Sequence, residues 1–275
     1  MKAGGQLIQF VKAHACGNDF LIVEALAVEE VEHKATAVRL CARNTGVGAD
    51  GVEYLKWTGP RSGRIRLFNA DGSVAEISGN GTRCVAAWMA REAQAKVNEV
   101  FAIETDAGVR SCRVTGIDGN RYEMASDMGV PVVTERQVVL ASGAVIHGAV
   151  VSMGNPHYVI FVRDDGFSID GVGWASIGRE ICFHPDFPEQ TNVEVVRTVS
   201  QGEIEIRIFE RGVGPTTSSG TGTCAASAAS IALRGLDSAL SVTAPGGAQA
   251  VNWRGGSAEM TLTGPAELIC IGEAF

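Results

Sequence analysis

Two short segments carry the same arrangement of small residues in front of an Ala-rich run. The first is "SGNGTRC", which starts at Ser78, and the second is "SGTGTC", which starts at Ser219. The two serines are 141 residues apart, so each half of the 275-residue chain contains one copy. Serine is a favoured helix N-cap, and glycine lets a strand turn tightly into a helix. The repeat therefore predicts one strand–turn–helix unit in each half.

A turn of this kind has a structural and a functional interpretation. It is either a helix cap only, or a place where backbone N–H groups at a helix N-terminus, approached closely over glycine, bind an anion. Repetition of the whole block favours the functional interpretation, because a cap needs one serine and not three small residues in fixed order. Two such turns would hold a small carboxylate between two side chains, which suits chemistry on both faces of one carbon.

Polar residues also cluster where predicted strands meet turns, in both halves of the chain. An Asn beside Gly is usually only a turn residue. The spacing alone leaves open whether these residues belong to turns or to a site. The clusters are "CGNDF" with Asn18, "FNADG" with Asn69, "MGNPH" with Asn155 and His157, "QTNVE" with Asn192, and "FERG" with Glu210 and Arg211.

The elements that must position these residues are many short β-rich runs and a few helices. Each half runs through strands, a Gly-rich turn, an Ala-rich helix and more strands, which predicts a duplicated α/β unit. We expect an N-terminal half of residues 1–124, joined by 266–275 as a returning strand, and a C-terminal half of residues 125–265. The predicted helices are Lys34 to Asn44, Thr82 to Lys96, 173–183, and Thr223 to Gly235.

Composition excludes several classes of protein. Hydrophobic residues make up 45% of the chain and charged residues 20%, which indicates a packed core. The net charge of −8 argues against nucleic acid or an anionic membrane as the main partner. The N-terminal stretch is a poor secretory signal because Gly, Gln and Lys interrupt its apolar run. Seven scattered cysteines are typical of reduced thiols, so we expect a cytoplasmic protein.

The sequence has no motif for a cofactor or a metal in the structural setting that such a motif requires. The segment "GVGADG" fits a dinucleotide-binding pattern, but the strand-like "VEYLKW" follows it where that pattern requires a helix. The five histidines show no metal-ligand spacing, and we find no P-loop or nucleophile-elbow motif. The sequence therefore indicates no cofactor and no metal.

At its motifs the chain resembles the diaminopimelate epimerase family over nearly its whole length. The matching segments include "KAHACGNDF", "TGVGADG", "RLFNADGS", "SGNGTRC", "VSMGNPH", "FPEQTNVE", "SGTGTC" and "TGPAE", in the family's order. The resemblance implies two pseudo-symmetric α/β domains, each a curved, mainly antiparallel sheet or barrel around a central helix, with the active site in the cleft between them. It also implies cofactor-independent inversion at the α-carbon of an amino acid and a possible homodimer.

The resemblance assigns roles by position. The family uses two cysteines, one as thiolate base and the other as thiol acid, and these correspond to Ser78 and Ser219. His157 and Glu210 would tune the acid/base pair. The substrate, a diaminopimelate-like amino acid, would be held by Asn18, Asn69, Asn155, Asn192, Glu210 and Arg211, together with main-chain groups of Gly79, Asn80, Gly220 and Thr221. Arg211 is open to a plain alternative as an ion-pair residue, and both Glu210 and His157 to one as structural hydrogen-bonders.

Three interpretations of the two serines are open. They are deliberate Cys-to-Ser replacements, or they belong to a divergent enzyme that isomerises or dehydrates another small amino acid, or the chain only binds an amino acid. Cys84 and Cys224 are not substitutes, since they lie a turn or more into the helices. A hydroxyl is a poor base unless a neighbour activates it. If the chain is an enzyme, we therefore expect a proton acceptor within hydrogen-bond reach of Ser78 or Ser219, with His157 and Glu210 as candidates.

Overall fold

The computed structural model describes residues 7–75 and 78–275; residues 1–6, which open the N-terminal stretch considered above, and 76–77 lie outside the described residues. The chain divides into two compact units. One comprises the described residues of Met1–Ser126 together with Gly264–Phe275, and the other comprises Asp127–Thr263. No described helix is long and apolar enough to cross a membrane.

The first unit is built mainly from strands, with two α-helices and two short 3-10 turns at Ala25–Ala27 and Glu30–Glu32. The helices are α1 (His33–Cys41) and α2 (Gly79–Glu92). The strands are β1 (Ile8–Ala15), β2 (Asn18–Glu24), β3 (Gly51–Gly59), β4 (Ser62–Asn69), β5 (Val74–Ala75), β6 (Val100–Thr105), β7 (Gly108–Asp118) and β8 (Arg121–Asp127).

The second unit has a similar set of elements. Its helices are α3 (Trp174–Cys182) and α4 (Gly220–Arg234). Its strands are β9 (Val132–Val139), β10 (Val145–Ser152), β11 (Pro156–Val162), β12 (Ser168–Ile169), β13 (Val172–Gly173), β14 (Asn192–Ser200), β15 (Glu203–Glu210), β16 (Gly214–Thr216), β17 (Ala239–Ala244) and β18 (Gly247–Asn252). The final strand, β19 (Thr261–Ala274), pairs with β18 at its start and with β1 further along.

Both units repeat one succession of strand pairings. In the first unit β1–β2, β3–β4, β6–β7 and β7–β8 are antiparallel, whereas β2–β3 and β4–β6 are parallel. In the second unit β10–β11, β14–β15, β17–β18 and β18–β19 are antiparallel, whereas β11–β14 and β15–β17 are parallel. In the first unit β19 also pairs with β8 and β1, which closes eight strands into a barrel. The predicted fold class is confirmed in its α/β units of mainly antiparallel strands.

Each Ala-rich helix is the centre of its unit's core. Val85, Ala86 and Met89 of α2 are fully buried in one apolar cluster with Phe101 and Ile103 of β6. The second unit repeats this with the alanines of α4 against the isoleucines of β15. Small side chains allow strands to pack close around a helix at the density of a protein interior.

The long helices begin three residues earlier than predicted. Their first turns contain glycine, whose low helix propensity obscures the start in the sequence. Each helix nevertheless begins directly after its serine, at Gly79 and Gly220. The end of α4 matches the prediction, because Gly235 adopts the left-handed conformation of a C-cap, with φ of 66°.

Candidate active site

The two serines cap the two central helices in the same way. The Ser78 hydroxyl accepts a hydrogen bond from the N–H of Gly81 at 3.1 Å, and that of Ser219 accepts one from the N–H of Gly222 at 3.2 Å. Both serines have extended backbones, as N-cap residues do. The first N–H groups of each helix have no intrahelical acceptor and carry a partial positive charge. Each serine therefore stands beside a potential carboxylate-binding position.

In the first unit a chain of side-chain hydrogen bonds runs to the start of α2. The amide of Asn80 donates to Oδ1 of Asn18 at 3.2 Å, and the amide of Asn18 donates to Oδ2 of Asp50 at 2.7 Å. Asn80 also accepts from the buried Arg83 guanidinium at 2.5 Å. Two of the predicted site residues, Asn18 and Asn80, are thus brought together next to the Ser78 cap.

Charged residues anchor this chain on its far side. Arg43 pairs with Asp19 at 2.8 Å and with Asp50 at 2.7 Å, and Lys12 pairs with Asp19 at 3.1 Å. Burial acts to raise the pKa of Asp19, but hydrogen bonds from Arg43 and Lys12 outweigh it and hold that pKa below its usual value. Asp50 therefore has a fixed position from which to orient Asn18.

Asn69 lies at the same sheet edge but makes a different contact. It ends β4 and pairs with Gly51 at the start of β3, which in turn pairs with Phe20 near the start of β2. Its amide donates to the Ser73 hydroxyl at 2.9 Å. Asn69 is therefore held by its own turn rather than by the chain that links Asn18 and Asn80.

The second unit has a buried polar cluster at the start of α4. His157 is fully buried; its Nδ1 lies 2.8 Å from Oε1 of Glu194 and its Nε2 lies 3.0 Å from Oδ1 of Asn155. The Asn155 amide donates to the Thr221 hydroxyl at 3.4 Å. Three predicted site residues are thus brought together, with Glu194 as an additional member.

Asn192, Glu210 and Arg211 lie beside this cluster on neighbouring strands. Asn192 pairs with His157 in the sheet, and its side-chain oxygen accepts from the backbone N–H of Arg211 at 3.0 Å. The Arg211 guanidinium is exposed and donates to the carbonyl of Glu189 at 3.2 Å. Burial, and then the nearby Glu194 carboxyl, raise the pKa of Glu210, while His157 acts in the opposite direction.

Neither serine hydroxyl is hydrogen-bonded to a base within residues 7–75 and 78–275. The bonds to the hydroxyl oxygens come from backbone N–H groups, and both ring nitrogens of His157 bond to other residues. The nearby thiols do not replace the serines, since Cys84 and Cys224 are fully buried and burial raises the pKa of Cys84. His157 and Glu210, the expected proton acceptors, are therefore not hydrogen-bonded to either serine in the described chain.

Two buried glutamates lie close to the first turns of α2 and α4. Glu53 on β3 and Glu194 on β14 are both fully buried, and each packs against the glycine whose N–H donates to the serine hydroxyl of its unit. Sequence reasoning missed both, because each is a polar residue within a strand-like run. A signal was present, however: Glu53 and Glu194 are 141 residues apart, as are Ser78 and Ser219.

Comparison with known proteins gives the family. The diaminopimelate epimerase family model matches residues 10–134 and 149–269. A diaminopimelate epimerase of Desulforudis audaxviator is 35% identical over 280 residues, covering 97% of this chain and 99% of the relative. One from Pelotomaculum thermopropionicum is 35% identical over 281 residues, covering 97% and 98%. The chain belongs to the diaminopimelate epimerase family.

Solved structures share the fold at much lower identity. A phenazine biosynthesis protein of the PhzF family from Bacillus anthracis has a TM-score of 0.70 at 16% identity, covering 98% of this chain and 100% of that chain. A hydroxyproline epimerase from Agrobacterium vitis, solved with bound trans-4-hydroxy-L-proline, has a TM-score of 0.67 at 18% identity, covering 98% and 91%. At these identities the likeness concerns the fold alone.

Proposed function

We propose that this chain is a cofactor-independent amino-acid epimerase, an isomerase that interconverts LL- and meso-diaminopimelate in lysine biosynthesis, with serines at both acid/base positions. Family membership supports the reaction class, because the curated relatives are named diaminopimelate epimerases. The resemblance at the motifs supports the positions of the two serines. We further propose a cytoplasmic location and a homodimer, as expected for the family.

The observation that carries the proposal is the arrangement at the first turn of α4. There the Ser219 hydroxyl, the Thr221 hydroxyl and the Asn155 amide meet the N-terminal end of a helix, with a carboxyl–imidazole pair behind them. Helix N–H groups and an amide suit a substrate carboxylate. The partial positive charge there would also stabilise the carbanion that forms when the α-proton leaves.

Inversion then needs one proton acceptor and one proton donor on opposite faces of the α-carbon. In the proposed reaction one serine takes the α-proton as its own hydroxyl proton passes to a neighbouring acceptor. The other serine gives its proton to the opposite face and regains one from a neighbouring donor, and the roles exchange in the reverse direction. His157, fixed by hydrogen bonds at both ring nitrogens, orients the groups around Ser219. Glu210, whose pKa is raised by burial and then by Glu194, would tune the acid/base pair from the neighbouring strand.

A non-catalytic amino-acid-binding role is the second candidate. It is favoured by one observation: within the described residues neither serine hydroxyl is hydrogen-bonded to His157 or Glu210. A binding protein would keep the helix N-termini and the Asn side chains but would need no proton transfer.

Conversion of LL-diaminopimelate distinguishes the two candidates. The native chain should form meso-diaminopimelate, measured by chiral chromatography, and the Ser78→Ala/Ser219→Ala variant should not. A panel of other small amino acids, run in parallel, tests the divergent-enzyme interpretation. Binding of diaminopimelate by calorimetry without any conversion would support the binding role and count against the epimerase.

A further inference from the structure

Glu53 is a carboxyl group in the interior of the first unit. Its side chain is fully buried, and within the described chain neither carboxyl oxygen has a hydrogen-bond partner. Burial raises the pKa of Glu53 to about 8. A buried polar group that makes no bond is less favourable than an apolar side chain of the same shape. Packing alone therefore gives no reason for a glutamate at this position.

The Glu53 carboxyl lies directly against the start of α2. A Cβ atom built on Gly81 would overlap Oε1 of Glu53 and would lie 3.3 Å from Cβ of Ser78. The N–H of the same glycine donates to the Ser78 hydroxyl. The carboxyl group and the serine side chain therefore converge on one glycine, which leaves open the space that any other residue would fill.

The second unit repeats this arrangement with one difference. A Cβ atom on Gly222 would lie 2.7 Å from Oε1 of Glu194 and 3.2 Å from both Cβ and Oγ of Ser219. Glu194 bonds to His157 at 2.8 Å. In the second unit His157 pairs with Asn192, two residues before Glu194. At the equivalent position of the first unit, Phe20 pairs with Gly51, two residues before Glu53. Glu53 therefore lacks the imidazole partner that Glu194 has.

We propose that Glu53 is a positioning residue that holds a proton behind Ser78 and acts through the Ser78 hydroxyl. When the face of the α-carbon that meets Ser78 is protonated, the serine O–H bond breaks and a C–H bond forms. The carboxylic O–H of Glu53 breaks at the same time and its proton restores the serine hydroxyl, which leaves Glu53 as a carboxylate. In the reverse direction that carboxylate takes the proton from Ser78 as Ser78 removes the α-proton.

This inference rests on the proposed function and answers its chief chemical difficulty. A serine is a weak acid and a weak base unless a neighbouring group shares the proton. A relay through a carboxyl group avoids a free serine alkoxide in either direction. The Glu194–His157 pair would serve Ser219 in the same way on the other face.

Several charged and titratable groups act on the neighbouring Cys84 thiol in α2. They are Arg83 on α2, Glu53 on β3, Cys16 in the β1–β2 turn and Asp19 at the start of β2. The pKa of Glu53 itself is raised by burial. A carboxyl group with a pKa near neutrality can both hold and release a proton at ordinary pH.

Deuterium exchange at the α-carbon in D2O tests the proposal with the Glu53→Gln variant. LL- and meso-diaminopimelate are the probes, and NMR follows both inversion and exchange with retention. We expect inversion to fall about 100-fold or more, as on loss of an acid/base group. Exchange with retention should persist for the stereoisomer whose α-proton faces Ser219 and should be lost for the other. Glu194→Gln should give the reverse selectivity, and Glu104→Gln, an exposed glutamate on β6, should behave as the native chain does.

If the native chain neither exchanges nor inverts any diaminopimelate, the proposed function fails and the relay with it. If the native chain is active but Glu53→Gln slows both stereoisomers equally, or neither, only the relay is overturned. Should the Gln variant fold poorly, Glu53→Met, which removes the polar group at similar volume, replaces it in the same assay.

A direct measurement of the proton completes the test and does not depend on turnover. The infrared difference between the native chain and Glu53→Gln should contain the C=O band of a neutral carboxylic acid at pH 7. Its absence would show that Glu53 is ionised there and would overturn the relay even in an active enzyme.

Discussion

The Ser78 and Ser219 hydroxyls occupy positions where a thiol would be the better acid and base. A cysteine at a helix N-terminus has a lowered pKa, because the N–H groups of the first turn stabilise the thiolate. Both serines stand at such a position as N-caps. At the scale of single residues, the proposed reaction would therefore be limited by the chemistry of the hydroxyl rather than by its placement.

Restoring both thiols tests this account of the serines. We expect Ser78→Cys/Ser219→Cys to interconvert LL- and meso-diaminopimelate at least tenfold faster than the native chain, with a rate that rises with pH as one thiol ionises. Chiral chromatography across a pH series measures it. The Ser78→Ala/Ser219→Ala variant is the control. Equal rates in the Cys and Ala variants would mean that these positions do not carry the reaction.

Asp50 should matter for binding through Asn18. Its carboxylate accepts from the Asn18 amide at 2.7 Å and is held by Arg43. Asp50→Ala leaves Asn18 without this charge-assisted bond, and we expect the affinity for diaminopimelate to fall about tenfold, the value of one such bond. Calorimetric titration measures the change, with Asp118→Ala, at an exposed position on β7, as control. An unchanged affinity would remove Asn18 from the substrate site.

At the scale of elements, the sequence predicted the first turns of α2 and α4 but not the buried glutamates that pack against them. Ser, Gly and Thr in fixed order predicted both turns, and the Ala-rich runs predicted both helices. The buried glutamates escaped prediction because β3 and β14 pack on both faces, so a polar residue within them has no periodicity to mark it. Asp50 escaped because it lies in "GVGADG", which as a sequence motif suggests phosphate binding rather than an anchor for Asn18.

Gly81 should be intolerant of any side chain. A Cβ atom there would overlap Oε1 of Glu53, so Gly81→Ala must displace the buried Glu53 side chain or shift α2 against β3. We expect it to lower the free energy of unfolding by about 1 to 3 kcal/mol, as overpacking does. Chemical denaturation measures this, with Gly202→Ala as control, because a Cβ there meets its nearest neighbour at an ordinary 3.7 Å.

The cause can be assigned to one contact by a double-mutant cycle. If the clash is with Glu53, Gly81→Ala should lower the free energy of unfolding by less in the Glu53→Ala variant, which has no carboxyl group at this position, than in the native chain. An equal loss of free energy of unfolding in the native chain and in Glu53→Ala would mean that the strain lies elsewhere in the turn.

At the scale of the whole molecule, the duplicated pattern was the feature that the sequence displayed most clearly. Strand runs, a Gly-rich turn and an Ala-rich helix recur in each half, and the structure repeats the same succession of pairings in each unit. The hydrogen bonds that distinguish the two units were not predictable. They depend on which residue stands at one register position, Phe20 opposite Gly51 or His157 opposite Asn192, and strand pairing decides that only in three dimensions.

The stability of the molecule should depend on pH through Glu53. Its pKa is about 8 in the folded chain, against an ordinary value of 4.5. Between these values the unfolded chain binds fewer protons than the folded one, so the contribution of Glu53 to the free energy of unfolding falls as pH rises. The Glu53→Met variant has no carboxyl group to titrate at this position, so its free energy of unfolding does not fall for this reason. The free energy of unfolding of Glu53→Met minus that of the native chain should therefore increase by a few kcal/mol from about pH 4.5 to about pH 8.

Urea denaturation of the native chain and Glu53→Met at several pH values measures the difference. Comparison of the two proteins cancels the titration of all shared groups. A difference that stays constant across this range would mean that the Glu53 carboxyl titrates normally in the folded chain.

The central claim is that a chain with two capping serines removes and returns the α-proton of an amino acid. The most direct measurement is NMR of LL- and meso-diaminopimelate with the native chain in D2O. The account predicts loss of the α-proton signal from both stereoisomers, together with their interconversion. A folded chain that binds diaminopimelate but leaves every α-proton in place would contradict it.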